Sequence, residues 1–418
     1  MENTKPQPVN RAPLYVLYLA NIISVSGNVM ALIAVPWFVL QTTGSASKTG
    51  LTAVVTALPA VLAGFFGGVI VDRIGYKRTS IIADLMSGIA VAIVPLLHAT
   101  VGLEFWQLLV LVFLGNLLDA PGTTARAALT PDLAEQAGFS LERASAFNDA
   151  ISRSTRLIGA PLAGVLIALI GANNVLWIDA ATFLVSAILI GLMVPRPAAM
   201  PPSETPKHYF AQLMEGVRFI QNDRLIMVIM ATAMITNLLD SAMGSVLMPV
   251  YVDRVFGNPA VLGFMSGIFG GAAFLSAFIL GTRGFPKARR LTFIFAFIFV
   301  ALRFWFMALL PGLPILLIGY AFVGLAAGVI NPLLGVIEFE RIPANMRARV
   351  FGVITAGVFL GMPLGGASGL LVDRLGLLPT MVILGAVYVA ATVSLLFYPV
   401  VHEMDQRPVT SLQTKLAE

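Results

Sequence analysis

Twelve long apolar stretches constrain what this chain can fold into. Each holds about 20 mostly apolar residues, which is the length of helix that crosses the hydrocarbon core of a bilayer. Polar residues and turn formers separate the stretches. The sequence therefore predicts twelve membrane-spanning helices, near residues 14–40, 50–71, 80–98, 104–126, 146–170, 175–195, 225–252, 260–281, 291–310, 314–337, 350–371 and 378–399.

The composition supports an all-α membrane protein. Hydrophobic residues make up 58% of the chain and charged residues 11%, against about 45–50% and about 25% in soluble domains. A soluble fold of 418 residues has too little interior to hide so much apolar surface. The chain has no cysteine, which excludes disulfides, thiolate metal sites and cysteine nucleophiles.

A long polar segment divides the predicted spans into two sets of six. It covers residues 196–224, and its part at 216–225 is predicted to form a short surface helix. The predicted domains are a six-helix bundle over 1–195, a cytoplasmic linker over 196–224, a second six-helix bundle over 225–402 and a cytoplasmic tail over 403–418.

The positive charges predict the orientation, because Lys and Arg concentrate in the cytoplasmic loops of membrane proteins. With the N-terminus inside, 22 of the 26 Lys and Arg residues fall on the inner side. Arg303 falls within the ninth span and the other three fall outside. Both termini are therefore predicted to be cytoplasmic. The net charge of +5 then indicates membrane topology rather than a nucleic-acid surface.

The two halves share a motif of small residues. GAPLAG lies at 159–164 in the fifth span, and GMPLGG lies at 361–366 in the eleventh, 202 residues later. Matching Gly–Pro-interrupted helices are typical of transporters built from repeats, and small residues also let helices pack closely. The predicted packing residues are Gly159, Pro161, Gly164, Gly361, Pro363 and Gly366.

A charged cluster follows the second span. The stretch GGVIVDRIGYKR at 67–78 ends an apolar run with four charged residues among seven. Similar text, GLLVDRLG, recurs at 369–376, but the span count puts it on the other side of the membrane. The positional counterpart of the first cluster is RGFPKARR at 283–290, which keeps the bases and lacks the acid.

The first cluster, together with twelve spans in two halves, resembles the loop signature of the major facilitator superfamily. Other stretches resemble its third drug:proton antiporter family, a group that includes macrolide exporters, the enterobactin exporter and mycobacterial Tap-type multidrug pumps. These stretches are GNVMALIAVPWFVLQ (27–41), IIADLMSGIAVAIVPLL (81–97), RAALTPDL (126–133), IDAATF (178–183) and EGVRFI (215–220).

The resemblance implies a major facilitator fold and the export of amphipathic or hydrophobic compounds, driven by proton influx without a cofactor. It also implies a cytoplasmic gate, in which the charged cluster holds the two bundles together. Asp72 would lie near the start of the eleventh span, where the helix dipole favours an anion. The alternative is a loop of solvated positive charges. The predicted gate residues are Gly68, Asp72, Arg73, Gly75, Lys77, Arg78, Asp84 and Arg126.

Two positions depart from the family pattern. Asn28 stands in the first span where many relatives carry an acid, and Ala160 rather than glycine precedes Pro161. A proton site in the first span is therefore not expected, and the antiporter signature of the fifth span is only loosely matched.

Asp240 is the predicted proton-coupling residue. It lies near the middle of the seventh span, and an acid within a membrane span is costly and usually functional. The alternative is a permanent pair with a base, Arg303 in the ninth span. Asp119 in the fourth span is the second coupling candidate, and Asp179 in the sixth is a weaker one.

A drug site is expected to be a large apolar cavity with few polar anchors, and methionine adapts to varied ligands. One polar or small helix face with Asp240 is predicted for Asn237, Ser241, Gly244 and Met248. The alternative for the apolar residues is packing or contact with lipid. The predicted lining is Asn21, Asn28, Met30, Trp37, Asn237, Ser241 and Met248.

The sequence features bear on three candidate functions. A proton-coupled drug exporter is favoured over a transporter of one physiological substrate, such as a siderophore, lysolipid or metabolite. A membrane-embedded enzyme is disfavoured, because His98, His208 and His402 lie near span ends or in loops and no HExxH, GxSxG or nucleotide-binding loop is present. The expected partners are a small lipophilic substrate and membrane lipids, and the expected form is a monomer in a bacterial inner membrane.

The orientation can be tested by cysteine labelling. Lys48→Cys and Asn258→Cys are expected to react with a membrane-impermeant reagent in intact cells, because both positions fall on the outer side. Lys77→Cys, Lys207→Cys and Lys287→Cys are expected to react only after permeabilisation. Labelling of position 207 in intact cells would overturn the predicted orientation.

Overall fold

The protein is helical throughout the part that the computed structural model describes, and that part contains no β-strand. The described residues are 10–195, 209–286, 288–343 and 345–406, with side chains described except at 60, 61, 63–73, 209–213 and 348.

Six long helices form the first half. Glycine and a polar cap mark two of their ends: Gly44 closes the first helix with φ 64°, and the Ser140 hydroxyl accepts the Arg143 backbone N–H at the start of the fifth. Both are ordinary helix-terminating devices. The helices are α1 (Ala12–Thr43), α2 (Ala46–Ile74), α3 (Tyr76–Thr100), α4 (Phe105–Gln136), α5 (Leu141–Ile170) and α6 (Ala172–Met193).

The second half adds nine helical pieces, of which two pairs form single interrupted spans. A π-helical turn, Met243–Leu247, joins α8 to α9, and a 3₁₀ segment, Met362–Ala367, joins α13 to α14. The helices are α7 (Tyr209–Asn222), α8 (Arg224–Ala242), α9 (Met248–Val255), α10 (Pro259–Arg283), α11 (Arg289–Ala308), α12 (Leu313–Arg341), α13 (Arg347–Leu360), α14 (Ser368–Leu375) and α15 (Leu377–Val393).

The predicted spans agree with these helices. Among the described residues, eleven helical segments are long and apolar enough to cross a membrane, and α2 lies at the remaining predicted span. The surface helix predicted at 216–225 begins earlier and ends at Asn222. It ends there because the Asp223 carboxylate accepts the backbone N–H groups of Leu225 and Ile226, which starts α8.

The helices group into two compact units. Unit 1 comprises Met1–Gly44, Val55–Glu204 and Asn258–Gly263. Unit 2 comprises Ser45–Val54, Thr205–Gly257 and Phe264–Glu418. The first turns of α2 therefore belong to unit 2, and the first turns of α10 belong to unit 1, which the predicted domain boundaries did not anticipate.

Each unit has its own packed interior. In unit 1, α1 packs against α5 and α6, and α3 packs against α4 and α6. The Tyr18 hydroxyl of α1 donates to the Ala144 carbonyl of α5 at 3.0 Å, inside a cluster of buried leucines. In unit 2, α11 packs against α12 and α15, and the largest buried side chains there include Phe293, Phe304 and Tyr388.

The two small-residue motifs lie at close helix contacts. In unit 1, a Cβ on Gly164 would lie 2.8 Å from the Gly263 Cα. In unit 2, a Cβ on Gly366 would lie 2.2 Å from the Gly50 carbonyl oxygen. Gly159 and Gly361 are similarly close to Val29 and the Met234 carbonyl, at 2.9 Å each. Backbones approach here as closely as small residues allow.

Two glycines of α12 provide a matched test of this packing. A Cβ on Gly328 would lie 2.1 Å from the Ala273 carbonyl oxygen, whereas one on Gly335 would meet nothing within 4 Å. Gly328→Ala is expected to destabilise the protein by about 1–3 kcal/mol through overpacking. Gly335→Ala is expected to be neutral or to stabilise by about 0.4–1 kcal/mol. Thermal unfolding in detergent measures both, and equal melting temperatures would contradict the packing described.

Candidate functional site

A polar network lies inside unit 1, between α3, α4 and α6. Arg126 Nη1 of α4 donates to Asp84 Oδ1 of α3 at 2.6 Å, and the Ser186 hydroxyl of α6 donates to Asp84 Oδ2 at 2.7 Å. The side chains of Arg126 and Asp84 are 2% and 0% exposed. A pair so fully removed from water depends on the match between its charges, because either partner alone would be a buried, unpaired ion.

The close approach of α3 and α4 brings this pair together. Gly122 lies one turn before Arg126 on α4, and a Cβ there would be 2.8 Å from the Ala83 Cβ of α3. The Ser87 hydroxyl of α3 donates to the Gly115 carbonyl of α4 at 3.0 Å, also in the interior. The small Gly122 and the hydrogen bond from Ser87 to the other helix therefore fix the spacing of α3 and α4 at which Asp84 and Arg126 meet.

Asn28 extends the network to α1. Its Nδ2 donates to Asp119 Oδ2 of α4 at 3.1 Å, and Asp119 Oδ1 lies 3.6 Å from Arg126 Nη2. An amide at position 28 supplies a hydrogen-bond donor where an ionised acid would add another negative charge. Asn21, two turns earlier on α1, donates to Asn148 of α5 at 3.2 Å.

An ion pair also lies inside unit 2. Arg303 Nη2 of α11 donates to Asp240 Oδ1 of α8, so the structure contains the pair that was named as the alternative to a free coupling acid. The two sides differ in access: the Arg303 side chain is 7% exposed and the Asp240 side chain 41%. The arginine is therefore held in the interior, while its carboxylate partner remains open on one side.

Aromatic residues and methionines surround the Arg303 side of this pair. The Tyr320 hydroxyl of α12 donates to the Met307 sulfur at 2.9 Å and lies 3.5 Å from the Met248 sulfur. Tyr251 and Tyr388 are fully buried, and the Tyr388 hydroxyl lies close enough to Asp240 and Thr236 to interact with both. Arg303 is thus enclosed by weakly polar groups, none of which carries a compensating charge.

The residues predicted to share one face of the seventh span make different contacts. Asp240 pairs with α11, but the Ser241 hydroxyl donates to the Met362 carbonyl at 2.8 Å, and Asn237 bonds back to the Ala233 carbonyl of its own helix at 2.8 Å. Neighbours in a helix point about 100° apart, so Asp240 and Ser241 reach different partners. Met248 follows the π-helical turn, which shifts its register relative to Asp240.

The predicted cavity residues of α1 divide into two groups. Asn21 and Asn28 are half-buried and make the hydrogen bonds given above. Met30 and Trp37 are 6% and 1% exposed and belong to the packed interior, as does Met248 of unit 2 at 6%. In this structure these three side chains serve as packing, which was the alternative considered for them.

The predicted gate residues are described only in part. The side chains of Gly68, Asp72 and Arg73 lie outside the described residues. Gly75 precedes α3 with φ 88°, and Arg78 is exposed.

Lys77 of the predicted gate is bound within unit 1. Its Nζ donates to the carbonyls of Gly191 and Val194 at 2.9 and 2.5 Å. A cation at these last carbonyls of α6 is favoured by the helix dipole. Lys77 is therefore not the solvated charge of the alternative interpretation.

The second copy of the charged motif has a definite structural role in unit 2. Asp373 of α14 accepts the backbone N–H groups of Ala46 and Ser47, at 3.2 and 2.9 Å, and the Ser45 hydroxyl at 3.0 Å. It thereby caps the N-terminus of α2, where orphan N–H groups and the helix dipole favour a carboxylate. The repeated text is visible in the sequence, but this partner is not, because nothing local links positions 46 and 373.

Comparison with known proteins agrees with this architecture. The Major Facilitator Superfamily profile matches residues 17–366 and 230–416. The multidrug efflux pump Tap of Mycobacterium tuberculosis is 31% identical over 404 residues, covering 96% of each chain. The pump Tap of Mycolicibacterium fortuitum is 31% identical over 418 residues, covering 97% of this chain and 99% of its own.

A solved structure extends the likeness to the whole fold. The crystal structure of the nucleoside transporter NupG superposes with a TM-score of 0.72 at 15% identity, covering 94% of this chain and 99% of that one. The helices and the matches together define a multispan membrane protein of the transporter class. The chain belongs to the major facilitator superfamily, as the sequence motifs predicted.

The buried charges of unit 1 can be tested by a rescue experiment. Arg126→Met is expected to destabilise the protein by about 3–5 kcal/mol, because it leaves buried carboxylates unpaired. Adding Asp84→Asn should recover part of that loss, since it removes one of those charges. Arg156→Met, on an exposed part of α5, is the matched control and should be near neutral. Thermal unfolding measures all of them, and a double variant no more stable than Arg126→Met would contradict the pairing.

Proposed function

We propose that this protein exports hydrophobic or amphipathic drugs by alternating access, in exchange for protons. The observation that carries the proposal is the asymmetric pair in unit 2, in which Arg303 is buried and Asp240 remains open. A second support is the likeness, over nearly the whole chain, to relatives whose names describe multidrug efflux.

The pair has the properties that proton coupling requires. Asp240 can exchange a proton because its side chain is 41% exposed, whereas Arg303 is 7% exposed and stays charged at any physiological pH. Protonation of Asp240 leaves the guanidinium without its counter-charge in an apolar surrounding, which is unfavourable by several kcal/mol. A conformation that relieves this imbalance is then favoured by the proton, and proton binding becomes coupled to the conformational change.

The proposed substrate class follows from the side chains that the chain offers. The polar anchors are few and neutral: Asn21, Asn28, Asn237 and Ser241 are half-buried amides and a hydroxyl. Neutral anchors on an apolar protein suit lipophilic compounds better than highly charged metabolites. We include Met30, Trp37 and Met248 in the lining only for a state in which they leave the packing seen here.

Several finer features belong to the same proposal. The positive charges favour cytoplasmic termini. We extend the proposal to a location in a bacterial inner membrane and to a cytoplasmic gate built on Asp72 and its neighbours. Asp84 and Arg126 would support that gate from within unit 1, as the buried pair that stiffens α3 and α4. We propose a monomer as the working form, since each unit holds its own ion pairs.

The proposal predicts that Asp240→Asn abolishes proton-driven export and retains drug binding. Asparagine keeps the shape of the side chain but cannot titrate, so the exchange of a proton for a drug is lost. Purified protein in proteoliposomes, given an imposed pH gradient and a panel of lipophilic cations and antibiotics, measures transport. Release of protons on adding drug to the purified protein measures coupling directly.

Controls separate coupling from folding. Asp253→Asn lies on α9 of the same span, and among the described residues Asp253 has no ion-pair partner, so export should persist. If Asp240→Asn fails to fold and Arg303→Gln in the same chain rescues folding but not proton release, the unpaired arginine is what prevents folding, and Asp240 is still needed for coupling. Drug-induced proton release at the wild-type level from Asp240→Asn would overturn the assignment. Export driven by a sodium gradient alone would overturn proton coupling.

A further inference from the structure

Asp179 of α6 is a buried acid that the proposed coupling step does not use. The whole residue is 1% exposed to solvent. It is the eighth residue of the helix Ala172–Met193, which places it about 10 Å from the helix start at 1.5 Å per residue. A hydrocarbon core about 30 Å thick covers that depth. The carboxyl is therefore enclosed by the packed helices of unit 1 in this structure.

The carboxyl lies directly against the backbone of α1. A Cβ on Gly27 would be 2.3 Å from Asp179 Oδ1 and 2.1 Å from the Thr182 hydroxyl oxygen. No residue with a Cβ fits that position without displacing one of these groups. The next residue of α1 is Asn28, which donates to Asp119. Gly27 and Asn28 therefore bring two carboxyls to neighbouring positions on the same turn of α1.

Among the described residues, no cation forms a salt bridge with Asp179. The helix α1 has no charged residue from position 19 to 43, and α5 has none from 157 to 170. The carboxyl of Asp119 on α4 lies close enough to interact with Asp179, and Asp84 of α3 belongs to the neighbouring network with Arg126.

Arg126, the arginine of the neighbouring network, is already engaged. Arg126 pairs with Asp84 and Asp119, and among the described residues Asp179 has no salt bridge. Its Oδ1 also lacks a hydrogen-bond partner in the described part of the chain.

Counting charges decides the protonation state. The interior of unit 1 holds the carboxyls of Asp84, Asp119 and Asp179, and Arg126 pairs with the first two. One guanidinium balances only one of three negative charges, and an isolated carboxylate in an apolar interior takes up a proton rather than stay charged. Asp84 and Asp119 share Arg126, whereas Asp179 forms no salt bridge among the described residues, so Asp179 is the first of the three to hold a proton.

We propose that Asp179 is a second proton-carrying residue of the transport cycle, held as the neutral acid in this structure. The inference rests on the proposed proton coupling and extends it to unit 1. Release breaks the Asp179 O–H bond and passes the proton to water admitted when α1 separates from α6 at Gly27, or to the Asp119 carboxylate. Uptake reverses the same step, and no other reactant is needed.

Infrared difference spectroscopy of the lipid-reconstituted full chain tests the proton directly. Wild type is expected to show the carbonyl-stretch absorption of a protonated carboxylic acid at neutral pH, and Asp179→Asn is expected to lose it. Asp149→Asn, an exposed acid of α5, should keep the band. Gly27→Ala presses a methyl group on the carboxyl and should shift the band without removing it. Absence of the band in wild type overturns the inference, whether or not any variant folds.

A proton count separates a transport role from a structural one. Asp179→Asn is expected to release fewer protons per drug bound than wild type while still binding drug. An unchanged count with the band lost would show a structural neutral acid and overturn the inference. If wild type itself releases no protons on binding drug, the proposed coupling fails, and the band then reports only the buried acid.

Discussion

Every charge in the interior of this protein has to find its counter-charge within the protein, because hydrocarbon supplies neither water nor mobile ions. That requirement decides which helices meet. Arg126 draws together α3 and α4, and Ser186 and Asn28 bring α6 and α1 to the same carboxylates. In unit 2, Arg303 links α11 to α8. The apolar residues fill the space around these contacts. Many arrangements of the helices would bury apolar side chains, whereas few would also keep every charge paired.

The two units meet this requirement differently, although they arise from matching halves. In unit 2, the buried Arg303 pairs with a single acid, Asp240. In unit 1, the buried Arg126 is shared between two acids, and a third, Asp179, forms no salt bridge in the described part of the chain. A balanced pair changes its charge when one partner gains a proton, whereas an acid-rich cluster can hold or release a proton while its base stays engaged. The units are therefore alike in fold and unlike in electrostatics.

The sequence predicted the spans well because span length and hydropathy are local properties. It predicted side-chain partners poorly, since a helix that is apolar on every side gives no signal of how it is rotated about its axis. The pair of Asp240 and Arg303 was reached only as an alternative, from the rarity of charges in spans. The bonds of Asn28, Lys77 and Asp373 were missed, because each joins residues that are distant in sequence.

The repeated text illustrates the same limit. GLLVDRLG reads like the earlier charged motif, yet its aspartate caps α2, a helix more than 300 residues away along the chain. The bond forms because the first turns of α2 lie in unit 2. No pattern in the sequence of α2 predicts that its first turns belong to that unit. Like residues therefore take on unlike roles when their neighbours come from elsewhere in the chain.

The π-helical turn between α8 and α9 holds one residue more than an α-helical turn would, so the backbone there is wound less tightly than in a regular α-helix. Converting it to regular α-helix would rotate everything beyond Leu247 by about 100° relative to Asp240. The turn already loosens the backbone ladder, and the Ser245 hydroxyl occupies the Ser241 carbonyl at 2.6 Å. A change of one backbone bond near Asp240 would therefore rotate the helix at Met248 and Tyr251.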